Sequence, residues 1–289
     1  MKQLKYILIV FSLIGIYSCE DAIDLDLDPG ANQLVVDAFL NNDSGLQTIR
    51  LTQSAAYFSN VRTPSENLAT VDVIGPDNKR FNFISDGNGN FNYDTQNGLL
   101  DSVGFSYQLE LVYNGITYKA TSILNPVPKI DTMTYSFEEE ELGSEEGYYA
   151  QFFATDFAGR KDYYWIKAFK NGISINEENN SSLILSEDAA FSGGGADGFP
   201  FILPIRAAIT NEDDPFELGD VSSVELWSME LNAYEFIEQV TIQTNNGGLF
   251  ATPPANIRSN ILDGAGNLQE EVLGVFSLSA ISRDSILIR

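Results

Sequence analysis

The sequence predicts a mainly β protein: an N-terminal antiparallel β-sandwich of the immunoglobulin-like or transthyretin-like kind, followed by a second β-rich domain with one amphipathic helix. Short runs of alternating apolar and polar residues recur between clusters of glycine, asparagine and aspartate, which is typical of strands joined by turns. Asn-Gly pairs at 114–115 and 171–172 separate such runs, and hairpins favour this pair because both central residues need a positive φ. Pro126 and Pro128 predict a stiff joint between the two domains.

The predicted first domain spans residues 33–125. Seven strands are predicted, around 34–40, 49–51, 70–74, 81–83, 91–93, 107–111 and 116–120. The segment from Asp86 to Asn90 resembles the start of a calcium-binding helix-loop-helix motif. Asn97 stands where such a loop has its glutamate, so a hairpin turn is the favoured interpretation.

The predicted second domain spans residues 126–289. Its strands are predicted at 130–137, 148–155, 163–170, 199–210 and 222–227. The polar segment 177–198 is predicted to be a long mobile loop because it is rich in polar residues and glycine. The closing segment 272–289 is predicted to be a hairpin that turns at 282–284.

One helix is predicted near 229–245, packed on the second sheet. Its apolar face recurs at spacings of four, three and four: Met229, Ala233, Phe236 and Val240. This spacing places the four side chains on one face of a helix. Ser228 is the predicted N-cap, because its hydroxyl can accept a hydrogen bond from the first free N–H groups, and Glu230 suits the positive end of the helix dipole.

The N-terminus reads as a secretion signal over residues 1–18. Lys2 and Lys5 precede an apolar stretch at 6–16, which is too short for a stable membrane span. The four residues that end at Cys19 resemble a bacterial lipobox, in which the cysteine thiol is lipidated. Cys19 is the single cysteine of the chain and has no disulfide partner. Lipidation is therefore predicted, with a soluble secreted protein as the alternative.

Residues 19–32 form an acidic tether behind the predicted lipid. Glu20, Asp21 and Asp24 follow the cysteine closely, and this pattern resembles the export signal of surface lipoproteins in Bacteroidota. Such signals are addresses read by receptors. The expected location is the outer membrane, lipid-anchored and facing the cell exterior; the alternative is that these acids only solvate the tether.

The amino-acid composition argues against several classes of function. The net charge of −25 opposes binding to nucleic acids, which requires a basic surface. Histidine is absent from the chain, and with it the commonest general base and transition-metal ligand. A Ser-His-Asp triad is therefore excluded within this chain, and no residue is assigned to catalysis or to a metal.

Two acidic segments are candidate calcium sites. Glu138–Glu141 with Glu145 and Glu146 is the densest, and 211–214 with Asp220 is looser. Calcium loops space their oxygen ligands around a sharp turn, whereas consecutive glutamates point in different directions. Solvated loops are the favoured interpretation, and no cofactor is predicted.

Two aromatic clusters offer a platform for stacking a sugar or a peptide. They are Tyr148, Tyr149, Phe152 and Phe153, and Tyr163, Tyr164 and Trp165. Neighbouring residues of a strand face opposite sides of the sheet, so about half of these rings must point inward and core packing is the favoured interpretation.

Several ordered motifs resemble the domain-of-unknown-function 4249 family (DUF4249) of Bacteroidota outer-membrane lipoproteins. The matching segments are Cys19 with 23–27, then 34–37, 71–73, 107–109, 117–120, 126–131, 162–164, 227–228, 233–234, 252–257 and 273–276. The resemblance covers almost the whole mature chain and carries no established activity. It implies a surface protein whose gene commonly lies beside that of a TonB-dependent transporter.

The expected function is that of a non-enzymatic accessory lipoprotein of a TonB-dependent transporter, as a lid or in capture of an unidentified small-molecule or peptide cargo. The loops expected to contact the partner carry Gly193, Gly194, Gly195, Pro253, Pro254 and Asn256. One alternative is a structural subunit of an outer-membrane assembly or adhesion complex. Another is a carboxylate-based hydrolase, which requires two acids facing one cleft.

Overall fold

The computed structural model describes residues 32–55, 63–97, 100–175, 183–191, 195–244, 257–267 and 272–289. These residues form sixteen β-strands, two α-helices and a single turn of 3-10 helix. The predicted mainly β class is confirmed.

The first seven strands lie where the alternation predicts them. They are β1 (Leu34–Asn41), β2 (Leu46–Gln53), β3 (Ala69–Ile74), β4 (Arg80–Ser85), β5 (Asn90–Asp94), β6 (Ser106–Tyr113) and β7 (Ile116–Ile123); the 3-10 turn is Thr95–Asn97. Asn114 and Gly115 have φ values of 51° and 78°, so the predicted hairpin between β6 and β7 is confirmed. The segment from Asp86 to Asn90 turns the chain between β4 and β5 as predicted, and the Asp86 carboxylate accepts the Asn88 N–H at 2.7 Å.

The later elements are more varied. They are β8 (Ile130–Glu138), β9 (Gly147–Ala154), β10 (Tyr163–Lys170), β11 (Ile173–Ser174), β12 (Ile184–Glu187), α1 (Leu203–Ala207), β13 (Val221–Met229), α2 (Leu231–Thr244), β14 (Leu262–Asp263), β15 (Val272–Ser279) and β16 (Ile281–Leu287). Asn171 and Gly172, at φ values of 54° and 81°, make the second predicted hairpin turn, between β10 and β11.

Three sheets organise these strands. A nine-stranded sheet has the order β14-β7-β6-β3-β4-β5-β2-β1-β15. In a five-stranded sheet with the order β11-β10-β13-β16, β12 also pairs with β10, and β8 pairs with β9 alone. Neighbours pair in antiparallel fashion except β1 and β15, which are parallel over their full length.

Each large sheet buries the apolar side of its alternating strands. The first core contains Val36, Ile49, Val71, Leu109 and Phe276, all at 0% exposure. A second core fills the space between the five-stranded sheet, the β8–β9 pair and α1. Burying one such side chain stabilises the fold by about 1.5–3 kcal/mol, so the two cores are the main source of stability.

The nine-stranded sheet curls until β15 lies against β7. Side chains satisfy the outer edge of β15 there, in place of a backbone ladder. The Asn260 amide accepts the Phe276 N–H at 3.0 Å and donates to the Phe276 carbonyl at 2.8 Å. The Leu278 N–H donates to Ser122 Oγ at 3.1 Å. A curled sheet thus stands where the sequence predicts a sandwich.

The chain crosses the predicted boundary at 125/126, because β14 and β15 pair within the first sheet. Residues Asn32–Arg289 form one compact unit. The division into domains 33–125 and 126–289 stays a prediction, and the predicted lipidated tether 19–32 lies almost entirely outside the described residues.

The predicted closing hairpin at 272–289 is wrong. The strands β15 and β16 belong to different sheets, and 282–284 lie inside β16. Ala280 carries the chain from one sheet to the other, held by a hydrogen bond from its N–H to Ser228 Oγ at 2.9 Å. With no glycine or asparagine at 280, the short break favours a crossing over a tight turn.

Two other assignments are corrected. The predicted strand at 199–210 contains α1, where Pro204 suits the first helical turn because its missing N–H has no helical partner to lose. The predicted loop 177–198 contains β12, which pairs with β10 from Ile166 to Tyr163.

The predicted helix is confirmed as α2, but its predicted start is wrong. Ser228 and Met229 belong to β13. The Ser228 hydroxyl donates to the Asn125 carbonyl at 2.6 Å and accepts the Ala280 N–H at 2.9 Å, so it bonds to distant backbone and does not cap α2. The helix begins after Glu230, whose backbone carbonyl accepts the Tyr234 N–H at 3.0 Å. The buried side chains of α2 are Ala233, Tyr234 and Ile237.

Gly274 sets the register of the parallel pair, opposite Val36. Its φ is +103°, and a Cβ there would overlap the Val36 carbonyl oxygen and lie 2.7 Å from the carbonyl carbon. Gly274→Ala is expected to lower the free energy of unfolding through backbone strain of about 1–3 kcal/mol. The steric overlap adds a further cost of about 1–3 kcal/mol. Denaturant unfolding of the purified protein measures the sum.

Gly219→Ala is the matched control, because Gly219 has a φ of +100° and a Cβ added there would meet nothing within 4 Å. It carries the strain without the overlap. Equal losses for the two variants would show that the close approach to β1 does not constrain residue 274.

Candidate functional site

Most residues predicted to carry function lie outside the described ranges. They are Cys19, Glu20, Asp21, Asp24, Gly193, Gly194, Pro253, Pro254 and Asn256. Gly195 is described, with a φ of +80°, in the segment that leads to α1. The described surroundings of Gly195 are therefore the place where the predicted contact region can be examined.

A buried aspartate holds this segment in place. Asp156 lies just after β9 and is 5% exposed. Its carboxylate accepts the Tyr164 hydroxyl at 2.5 Å and the Gly198 N–H at 3.1 Å. The Asp156 N–H also donates to the Phe199 carbonyl at 3.0 Å. The side chain and the backbone of one residue thus fix 198–199 against the second core.

Two further buried aspartates fix the chain after β12, ahead of the described residues 189–191. The Asp162 N–H donates to the Asp188 carboxylate at 2.8 Å, and the Asp188 N–H donates to the Asp162 carbonyl at 2.8 Å. Arg160 forms an ion pair with the Asp162 carboxylate. Asp188 has a φ of +51°, a conformation that aspartate tolerates better than most residues.

Asp156 and Asp188 carry no distinguishing mark in the sequence, and Asp162 is marked only by its place in the family-like segment 162–164; the sequence does not show that the three are buried. Each lies one or two residues outside a strand: Asp156 after β9, Asp162 before β10 and Asp188 after β12. Aspartates at strand ends usually make local turns, so burial is what distinguishes these. Buried polar groups require partners, and here the partners are the backbone of the loop and Tyr164.

Burial raises the pKa of the Asp156 carboxyl, while the hydrogen bonds from Tyr164 and Gly198 lower it. The negative charges of Asp162 and Asp188 act in the same direction as burial. Burial and the hydrogen bond to Asp156 raise the pKa of Tyr164. Tyr164 therefore keeps its proton at neutral pH and acts as a permanent donor to Asp156.

The held segment presents apolar side chains to solvent. Four large side chains here are defined as the apolar rim: Phe191, 49% exposed, Phe199, 60%, Ile202, 37%, and Leu203, 52%. The Ile202 N–H donates to the Ala189 carbonyl at 3.0 Å, which ties the two arms of the segment together. Rigidly held, exposed apolar residues of this kind are typical of contact surfaces.

A groove runs beside the apolar rim. Its larger part has a volume of about 480 Å³, with these described residues in its lining: Gly143, Ile175, Leu183, Ile184, Phe191, Ala208, Thr210, Asn211, Glu212 and Asp213. A smaller cavity of about 260 Å³ shares Ile175 and Asn211 with it and continues to Lys170 and Asp214. The two adjoining cavities are together defined here as the groove.

The two acidic segments meet at the groove. The Glu145 N–H donates to the Glu212 carbonyl at 2.9 Å, so the turn between β8 and β9 lies beside the loop at 211–214. Lys170 pairs with Asp214 at 2.7 Å and with Asp220 at 3.6 Å. Within the described ranges, no group of three acidic or other metal-ligating side chains is arranged to hold an ion.

The predicted aromatic clusters divide between the two sides of their strands. Tyr164 and Phe152 are fully buried. Trp165 faces the other side and packs with Phe39, their ring centroids 5.7 Å apart. The Lys167 ammonium lies 3.8 Å and 3.5 Å from the ring centroids of Trp165 and Trp227. The stacking faces of these indoles are thus occupied by the protein itself.

Comparison with known proteins gives one family. The family described as "Domain of unknown function (DUF4249)" matches residues 20–285. No curated protein matches the chain. In the described part of the chain, no helix is long and apolar enough to span a membrane.

Tyr164→Phe removes one of the donors to the buried Asp156 carboxylate. It is expected to lower the free energy of unfolding by about 1–3 kcal/mol at pH 7. Because the pKa of Asp156 is raised, the folded state holds this proton to a higher pH than the unfolded chain. Stability from this group is therefore present at acid pH and lost as pH rises through the folded pKa. The variant raises that pKa further, so its cost is expected to be smaller at pH 4 than at pH 7.

Tyr107→Phe is the control, measured by the same denaturant unfolding. Tyr107 is buried in the first core, and its hydroxyl accepts the Ser102 N–H at 3.1 Å. Its cost is expected to stay constant between the two pH values. A cost of Tyr164→Phe that does not change with pH would contradict the coupling to Asp156.

Proposed function

The chain belongs to the DUF4249 family, and from this membership we propose that it is a lipid-anchored, non-enzymatic binding protein on the outer face of the outer membrane. Its partner is a TonB-dependent transporter, which it covers as a lid or supplies with cargo. The proposal joins the lipobox-like segment at Cys19 to a contact surface on the folded part of the chain.

The apolar rim is the observation that carries the proposal. Exposed apolar side chains scattered singly need no explanation, but several on one firmly held segment mark an interaction surface. Phe199 and Leu203 are both more than half exposed, although burying them would stabilise the protein. The buried Asp156 and Asp188 hold this surface in place before any partner arrives, which reduces the entropy lost on binding.

The net negative charge of the chain is consistent with a solvent-exposed protein that does not bind lipid headgroups directly. The net charge of −25 keeps the surface solvated, and it repels anionic lipid headgroups. The lipid expected at Cys19 would hold the protein at the membrane and raise its local concentration near a transporter.

The test is an affinity pull-down of the full-length, C-terminally tagged protein from detergent-solubilised outer membrane, with partners identified by mass spectrometry. Wild type is expected to recover a TonB-dependent transporter in stoichiometric amount. The double variant Phe199→Ser with Leu203→Ser is expected to lower that recovery by about tenfold, since central apolar contacts dominate binding energy.

The matched control is Leu46→Ser with Phe105→Ser, which removes two side chains that are 66% and 57% exposed beside the first core. It is expected to retain the transporter. Recovery of assembly factors without a transporter would overturn the proposal in favour of a structural subunit. Equal recovery by the two double variants would overturn the role of the apolar rim.

A further inference from the structure

We propose that the groove binds an extended polypeptide segment that carries a basic side chain next to an apolar one. This inference rests on the proposed function and names the chemistry of what this face of the protein binds. It follows from three properties of the described residues around the groove: its shape, its apolar lining and its unbalanced acidic edge.

The shape favours an extended chain. The two cavities, of about 480 and 260 Å³, share Ile175 and Asn211 and so adjoin. A compact ligand would occupy one of them, whereas an extended peptide places successive side chains in both. Recognition of extended peptides commonly uses separate pockets for alternating side chains.

The lining provides the apolar part of the recognition. Ile184, which is 5% exposed, lines the larger cavity together with the partly buried Leu183 and Ala208. Phe191 belongs to the same lining and is 49% exposed. An apolar side chain placed here would cover the Phe191 ring. The removal of both apolar surfaces from water is the main favourable contribution to such binding.

The edge provides the charge. In the described ranges, Glu212 and Asp213 make no ion pair, whereas Asp214 and Asp220 both form ion pairs with Lys170. The turn that carries Glu145 lies against Glu212 and adds further negative charge. An acidic ligand would be repelled, whereas a lysine or arginine could pair with Glu212 and Asp213, which have no cationic partner among the described residues.

The edge is also held firmly. The Ala150 N–H donates to Thr210 Oγ at 2.9 Å, which joins the loop to β9. The Asp213 N–H donates to the Asn211 side chain at 3.1 Å, and the Asp214 N–H donates to the Asn211 carbonyl at 3.2 Å. The backbone that carries the carboxylates is thus fixed before binding, so a ligand need not order the loop.

The experiment measures fluorescence anisotropy with labelled pentapeptides and the full-length protein in detergent. The probe is Lys-Leu-Lys-Leu-Lys; the comparison peptides are Lys-Ser-Lys-Ser-Lys and Glu-Leu-Glu-Leu-Glu. The first is expected to bind at least about tenfold more tightly than either of the others, because it alone satisfies both the lining and the edge. If the lysine-serine peptide bound as tightly as the probe, the binding would be explained by general attraction of a basic peptide to an acidic protein, and the proposal would be overturned.

Variants locate the binding. Two variants are each expected to lower the affinity for the probe peptide by about tenfold: Phe191→Ala, and the double variant Glu212→Gln with Asp213→Asn. The controls are Phe105→Ala, for an exposed ring elsewhere, and Glu235→Gln with Glu238→Gln, for two exposed acids on α2. They are expected to leave affinity within about twofold. Equal effects of groove and control variants would overturn the assignment.

The outcome is separable from the proposed function. The pull-down variant Phe199→Ser with Leu203→Ser leaves every lining residue of the groove unchanged. Recovery of a transporter without peptide binding would overturn the groove assignment alone. Peptide binding at the groove without a transporter would uphold the groove and overturn the transporter partnership.

Discussion

The parallel pairing of β1 with β15 is the constraint on which the rest of the structure depends. It joins residues 34–41 to 272–279, so nearly the whole described chain lies between the two paired strands. Gly274 permits the close approach, and the Asn260 amide satisfies the outer edge of β15. Ala280 then leads directly into β16. Closing the nine-stranded sheet therefore also fixes where the five-stranded sheet begins, and with it the strands that carry the candidate site.

Local elements could be predicted from the sequence, whereas the long-range pairing could not. Alternation and the Asn-Gly pairs predict β6, β7 and β10 because their signals lie within a few residues. The pairing of β1 with β15 spans more than two hundred residues along the chain and leaves no local mark. The predicted closing hairpin is wrong for this reason. The predicted start of α2 is wrong because Ser228 lies in β13, where its hydroxyl bonds to two distant residues, Asn125 and Ala280.

The candidate site could be predicted in part. The region near Gly195 is expected from the sequence to make contacts, and its described part carries exposed apolar residues. The two acidic segments can each be recognised in the sequence, but the sequence does not show that Glu145 and Glu212 meet. The aspartates that hold the segment, such as Asp156, look like ordinary turn residues until their burial is known. Sites built from residues far apart in the chain depend on the tertiary fold, which single-sequence patterns do not encode.

Native-state hydrogen exchange tests the central claim most directly, because slow amides report the free energy of the opening that exposes them. The amides that pair β1 with β15 and those that pair β10 with β13 would be followed at increasing denaturant. One shared free energy of opening is expected for the two sets of amides, since closing the first sheet also positions the second. Protection of β10 and β13 that persists after β1 and β15 have opened would contradict it.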